Sequence, residues 1–284
     1  MTSPATSVPA ADRESSNALI SPRRRNFIFV AVLLGMLLAA LDQTIVATAL
    51  PTVVADLGGA GHQSWVVTSY LLASTIVTAV VGKLGDLFGR KAVFQVAVLF
   101  FLAGSVLCGL AGSMTMLVAS RTLQGIGGGA IMVTAMAVIG EVIPLRERGR
   151  YQGALGAVFG VTTVIGPLLG GFFTDHLTWR WAFWINIPVA LVVLAVGAVA
   201  IPPLAKAAKR VVIDYAGILF VGLGASGLTL ATSWGGGEYA WTSGVIIGLF
   251  AVSAAALAIF VWVETRAAEP ILPIRLFASP VFTV

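Results

Sequence analysis

The chain has 284 residues, of which 58% are hydrophobic and only 10% charged, with a formal net charge of +5. Roughly 25% of the residues in a soluble domain are charged, so this composition excludes a water-soluble fold and specifies a polytopic membrane protein. The positive balance does not point to nucleic acid, because the basic residues fall in short loops, and the single Cys108 excludes a disulfide framework within one chain.

Residues 1–22 are polar and rich in Ser, Pro and Ala, and are expected to form a disordered cytoplasmic tail. Arg23, Arg24 and Arg25 then precede an apolar run in a way that mimics a twin-arginine signal peptide, but the run is too long and carries Asp42. Apolar segments follow at 27–49, 64–84, 92–112, 115–139, 151–174, 181–201, 212–233 and 242–263. Each is about the 20 residues that a ~30 Å hydrocarbon core requires. Backbone immersed in lipid must satisfy its own hydrogen bonds, so the spans are helices and the fold class is all-α.

Basic residues set the orientation. With the N-terminus inside, every Lys and Arg except Arg121 and Arg180 falls in a cytoplasmic segment, and eight spans return the C-terminus to the same side. Trp65, Trp179, Trp181, Trp184, Trp234 and Trp241 then lie near the outer interface as an aromatic belt. His62 and His176 fall in outer loops, where solvation is the simplest expectation.

Between the second and third spans lies a charged, glycine-rich knot, Gly82-Lys83-Leu84-Gly85-Asp86-Leu87-Phe88-Gly89-Arg90-Lys91. Its glycines permit a tight turn, and Asp86 needs a helix N-terminus or a nearby cation as partner. Glu141, ending the fourth span, is a candidate to pair with Arg90 and latch an inner gate. Gly171, Asp175 and Arg180 follow the fifth span at nearly the spacing of Gly82, Asp86 and Arg90, on the opposite side of the membrane. That is the pattern of two inverted three-helix repeats.

Two ionisable residues lie deep within spans. Asp42 is 15 residues past Phe27, about 22 Å along a helix from the inner face. Arg121 is 6 residues past Thr115, about 9 Å from the outer face. A charge in lipid costs several kcal/mol unless paired or wet, so both are expected to face one polar central cavity and to sense each other, directly or through water. Gln43 and Thr44 neighbour Asp42, and Gln124 lies one turn from Arg121 on the same helix face. An aspartate beside an arginine suits a proton site; a fixed ion pair joining the two helices is the structural alternative. In the fifth span Pro167 interrupts the hydrogen-bond ladder, while Gly156, Gly160, Gly166 and Gly170 offer small surfaces for close helix contact. Asp214 is expected to cap the seventh helix.

Gly125-Ile126-Gly127-Gly128-Gly129-Ala130 and Gly222-Leu223-Gly224-Ala225-Ser226-Gly227 fit the dinucleotide fingerprint, but neither follows a strand, so both are expected to be packing glycines. No phosphate-binding loop of the G-x-x-x-x-G-K-[ST] type occurs, so energy would come from an ion gradient. No cofactor, metal cluster or catalytic nucleophile is expected, and the chain does not read as an enzyme.

The knot resembles the signature loop of the major facilitator superfamily. Leu41-Asp42-Gln43-Thr44-Ile45-Val46-Ala47-Thr48-Ala49-Leu50-Pro51 and Arg121-Thr122-Leu123-Gln124-Gly125-Ile126-Gly127-Gly128 resemble the helix-1 and helix-4 motifs of its fourteen-helix drug:proton antiporters. Gly166-Pro167-Leu168-Leu169-Gly170-Gly171 resembles the antiporter motif of helix 5, and Trp179-Arg180-Trp181 through Asn186-Ile187-Pro188 resembles the beginning of helix 6. The resemblance implies a six-helix N-terminal bundle over 23–201, a cytoplasmic linker at 202–211, two additional helices at 212–263, and a cytoplasmic segment at 264–284 leading into a C-terminal half that this sequence lacks. It further implies a proton-coupled exporter of small amphipathic or cationic drug-like molecules in the cell membrane, with proton-coupling roles for Asp42 and Arg121. The alternatives are a split half-transporter completed by a second chain, and a non-transporting membrane scaffold or sensor.

Overall fold

The computed structural model describes residues 21–58, 60–202 and 214–266. The expectations for the tail, for most of the 202–211 linker and for the segment beyond residue 266 fall outside these residues. Among them there are eight helices of membrane-spanning length: α1 (Pro22–Leu57), α2 (Gln63–Phe88), α3 (Arg90–Gly109), α4 (Met114–Val142), α5 (Arg148–His176), α6 (Trp181–Ala200), α7 (Tyr215–Trp234) and α8 (Gly244–Glu264). No strand occurs among the described residues; Gly235 and Tyr239 form an isolated bridge.

Helices α1, α2, α4 and α5 run past the apolar windows at both ends, and several helix ends are set by caps rather than by hydropathy. α1 begins with the Ser21 hydroxyl accepting from the Arg24 N–H at 3.4 Å, with Pro22 in the first turn, and ends at Gly58 with φ 70°. Ser113, Asp214 and Ser243 cap α4, α7 and α8 through the N–H groups of Met116, Gly217 and Ile246. Gly89, at φ 88°, ends α2 and starts α3. A side chain is strained at that φ, so one glycine makes the reversal.

Helix α4 is the hub. It lies against α2 and α3, while α1 packs on α5, α6 and α4. Its glycines set the spacing. A Cβ at Gly127 would overlap the Phe101 backbone of α3, and one at Gly129 would stand 2.6 Å from the Ser74 carbonyl of α2. Gly104 of α3 repays the contact, its absent Cβ lying 2.6 Å from the Gln124 backbone. The first dinucleotide-like pattern is therefore close helix packing. In the second, Gly224 and Gly227 face α8 at Leu257 and Ser253, whereas Gly222 has open space beside it.

The apolar core divides in two. Ile28, Phe94, Phe101, Ile131 and Val138 belong to one cluster, and Ile45, Val66, Leu117 and Phe183 to the other. On α1 the first cluster ends at Ala39 and the second begins at Ile45, leaving Asp42 between them. The outer pair α7–α8 is appended: α8 packs on α7, and α7 on α2. At the tryptophan-rich end Ser64 donates to Glu238 and the Trp65 and Trp234 rings meet edge-on at 5.1 Å. Trp179 departs from the expected belt: it is 3% exposed and packs inward on Phe183.

Helix α5 corrects one expectation. Gly166 and Gly170 do press on α1 at Thr44 and Thr48, but Gly156 and Gly160 have no atom within 4 Å of an added Cβ. They share with Gly149, Gly153 and Gly171 a lack of any such neighbour, because α5 has only α1 as a major partner.

Candidate functional site

Asp42 stands where the two apolar clusters part, and Arg121 reaches it from α4. Arg121 Nη1 donates to Asp42 Oδ2 at 2.6 Å, and the residues are 1% and 0% exposed. Gln124, one turn along α4, donates through Nε2 to Asp42 Oδ1 at 2.7 Å and accepts from Arg121 Nη1 at 2.8 Å. The i, i+3 spacing that puts Arg121 and Gln124 on one face thus presents a cation and an amide to the same carboxylate.

Four further side chains and one backbone carbonyl complete the node. Asn186 Nδ2, on α6, donates to Asp42 Oδ1 and to Ser105 Oγ, both at 2.8 Å. Ser105, on α3, also accepts from Gln124 at 2.9 Å and donates to the Phe183 carbonyl at 3.2 Å. Cys108 places its thiol 3.6 Å from Gln124 Oε1. On α2, the Tyr70 ring lies 4.3 Å beneath the guanidinium and the Val66 carbonyl accepts from Arg121 Nε at 3.2 Å. Sequence reasoning passed over Asn186, Ser105, Tyr70 and Cys108 as site residues. Their signal was weak: each is one small or amphipathic polar group in an apolar span, and only the rotation of its helix shows that it converges on Asp42.

The site is closed rather than cavity-lined. Asp42 accepts three hydrogen bonds, its charge is offset by Arg121, and Asp42, Ser105, Arg121, Gln124 and Asn186 are all buried. Water is replaced by side chains, which satisfies the requirement that a buried charge be paired and hydrogen-bonded. Gln43, expected beside them, is exposed instead and makes none of the bonds to Asp42.

The remaining predicted residues occupy the two ends. At the end bearing Arg23–Arg25, Arg90 Nη2 donates to Asp86 Oδ1 at 3.1 Å and its Nε donates to Glu141, so one guanidinium joins α2, α3 and α4. The Gly89 N–H donates to the Gly85 carbonyl at 2.9 Å, Gly82 has open space around it, and Lys91 donates to the Ala198 carbonyl of α6. At the opposite end Arg180 joins the end of α1 to the chain just after α3. It bonds Asp56 at 3.2 Å and the Ala111 carbonyl at 3.1 Å, not Asp175. Trp179 Nε1 also donates to Asp56, at 2.8 Å. In the helix-5 motif Gly166 and Gly170 meet α1, while Pro167 faces outward and Gly171 touches nothing within 4 Å of an added Cβ.

Among the described residues no group of three His, Cys, Asp or Glu side chains gathers to hold a metal ion.

Comparison with known proteins adds the following. A family model described as Major Facilitator Superfamily matches residues 32–272. An MFS-type transporter of Mycobacterium tuberculosis strain H37Rv, described as uncharacterized, is 60% identical over 279 residues, covering 98% of this chain and 40% of the relative. The multidrug transporter protein MdtP of Bacillus subtilis is 42% identical, covering 92% of this chain and 48% of that protein. The chain thus spans about half the length, or less, of these curated relatives. Among solved structures, the human organic anion transporter MFSD10 superposes with a TM-score of 0.60 at 17% identity, over 80% of this chain and 59% of that one. A D-xylose-proton symporter superposes with a TM-score of 0.57 at 18% identity, over 83% of this chain and 66% of the other. These likenesses carry the fold.

Proposed function

The chain belongs to the Major Facilitator Superfamily, a family of membrane transporters rather than enzymes, and on that premise we propose that it is the N-terminal working portion of a proton-coupled multidrug exporter. The observation that carries this reading is the Asp42–Arg121 pair, a buried carboxylate held by three hydrogen-bond donors. Protonation of Asp42 removes its charge and leaves Arg121 without its counter-ion, so the two protonation states favour different arrangements of the surrounding helices. Where that rearrangement opens the node, a bound cation and a proton compete for the same carboxylate, which is the elementary condition for exchange. A drug-like substrate is suggested by the name of the Bacillus relative, a multidrug transporter protein, and the amphipathic or cationic preference by the carboxylate in an apolar interior.

In this reading the N-terminus is cytoplasmic, the chain lies in the cell membrane, and the Arg90–Asp86–Glu141 cluster is the inner latch. Residues 23–201 form the transport bundle as two inverted three-helix repeats, and 212–263 an added pair. The open glycine face of α5 (Gly153, Gly156, Gly160) is where further helices, of the same polypeptide or of a second chain, close the substrate cavity.

The test is export of a fluorescent organic cation from inverted membrane vesicles, with and without a proton gradient. Asp42→Asn is expected to abolish gradient-driven export while leaving the protein inserted. Full gradient-driven export by that variant rejects the proton role and leaves Asp42–Arg121 as a fixed strut between α1 and α4.

A further inference from the structure

The buried node contains two side-chain amides that are held differently. Gln124 is fixed at both ends: Nε2 donates to Asp42 and Ser105, while Oε1 accepts from Arg121 and the Cys108 thiol. Turning it over would aim its NH2 at the guanidinium. Asn186 is fixed at one end only. Its Nδ2 donates to Asp42 Oδ1 and Ser105 Oγ, and no donor among the described residues reaches its carbonyl oxygen. It also borders a small apolar crevice between α1 and α6, lined by Leu37, Leu38, Leu41, Ile185 and Val189, which leaves room for the amide to turn. A primary amide donates in one orientation and accepts in the other.

We propose that Asn186 is the positioning residue that reads the protonation state of Asp42, its amide turning over when Asp42 Oδ1 takes up a proton. The inference rests on the reading of Asp42 as a proton site. One proton from water adds to Oδ1, and no bond between heavy atoms forms or breaks. Oδ1 had been accepting from two N–H groups and now carries an O–H facing two donors. The titratable groups around it are Arg121 from α4, Tyr70 from α2 and Cys108 from α3, and Arg121 keeps Gln124 in place. Relief therefore falls to Asn186, whose Oδ1 swings in to accept the new proton. Its Nδ2 then leaves Ser105, the residue that joins α3 to α6 through the Phe183 carbonyl. A proton landing on α1 is thereby read as a lost contact between α3 and α6.

The sequence supplies a clean probe, since its asparagines are Asn17, Asn26 and Asn186, preceded by Ser16, Arg25 and Ile185. The whole chain is labelled with 15N-asparagine, 13C-aspartate and carbonyl-13C isoleucine, embedded in lipid nanodiscs and followed by NMR across pH; the labelled Ile185 carbonyl singles out Asn186. The expected result is that the Asn186 side-chain nitrogen shifts with the same midpoint as the Asp42 carboxyl carbon, and that this shift is lost in Asp42→Asn. A stationary Asn186 amide across a pH range in which Asp42 titrates overturns the proposal and leaves the proton site standing. A carboxyl carbon that never titrates removes the proton site and this proposal with it.

Discussion

Helices α4 and α5 are the same length and both are rich in glycine, yet they use it in opposite ways. In α4 the absent side chains of Gly125, Gly127, Gly128 and Gly129 are replaced by the backbones and rings of α2 and α3. In α5 Gly149, Gly153, Gly156, Gly160 and Gly171 are replaced by nothing. A glycine in a membrane helix states only that something is able to come close; which glycines are occupied depends on where the helix sits. α4 is central, so its small face is filled and its polar residues are enclosed. α5 stands at the margin and spends only Gly166 and Gly170 on a neighbour, α1.

The sharpest way to break this contrast is at the charge that α4 buries. Arg121→Met leaves Asp42 enclosed without a counter-ion, and the expected loss is about 3–5 kcal/mol, read as a lower unfolding midpoint in mixed micelles. Gly127→Ala drives a methyl into the Phe101 backbone and is expected to remove about 1–3 kcal/mol by overpacking, in the same measurement. Glu141→Gln, at the rim of α4, breaks an ion pair with Arg90 whose members are 20% and 37% exposed. Its expected effect is at most about 1 kcal/mol, weakening further with added salt. Gly156→Ala on α5 is expected to change stability by no more than about 0.5 kcal/mol. A loss at Gly156 as large as that at Gly127 would mean that α5 is already covered, and the contrast would fail.

Much of this was legible before any coordinates. A carboxylate and a guanidinium stand out in spans otherwise almost free of charge, and the cost of burying either alone is reason enough to look for the other. The knot around Gly89 was legible because glycines and charges are packed into one short turn. Asn186 and Ser105 were not, since a lone amide or hydroxyl in an apolar helix carries no sign of which way it faces. Spacing along the chain set Gly171, Asp175 and Arg180 beside Gly82, Asp86 and Arg90, but carried no sign of Asp56, the residue that Arg180 bonds. Spacing records neighbours within a loop, while this bond joins helix ends that lie far apart in sequence. The length of α1, Pro22–Leu57, was underestimated because hydropathy reports only the oily middle of a helix and not its capped ends.

The attachment of the α7–α8 pair has a mechanical consequence. α8 leans chiefly on α7, and α7 on α2, where Ser64 and Trp65 hold the hairpin at one end. Most of the surface of α8 lies outside the contacts made among the described residues, and a membrane helix longer or shorter than its surroundings responds by tilting. The tilt has one main route inward, through α2, a rod whose far end is the Gly89 turn beneath Arg90. A tilt of α8 would therefore load α7 and then α2 before the rest of the bundle.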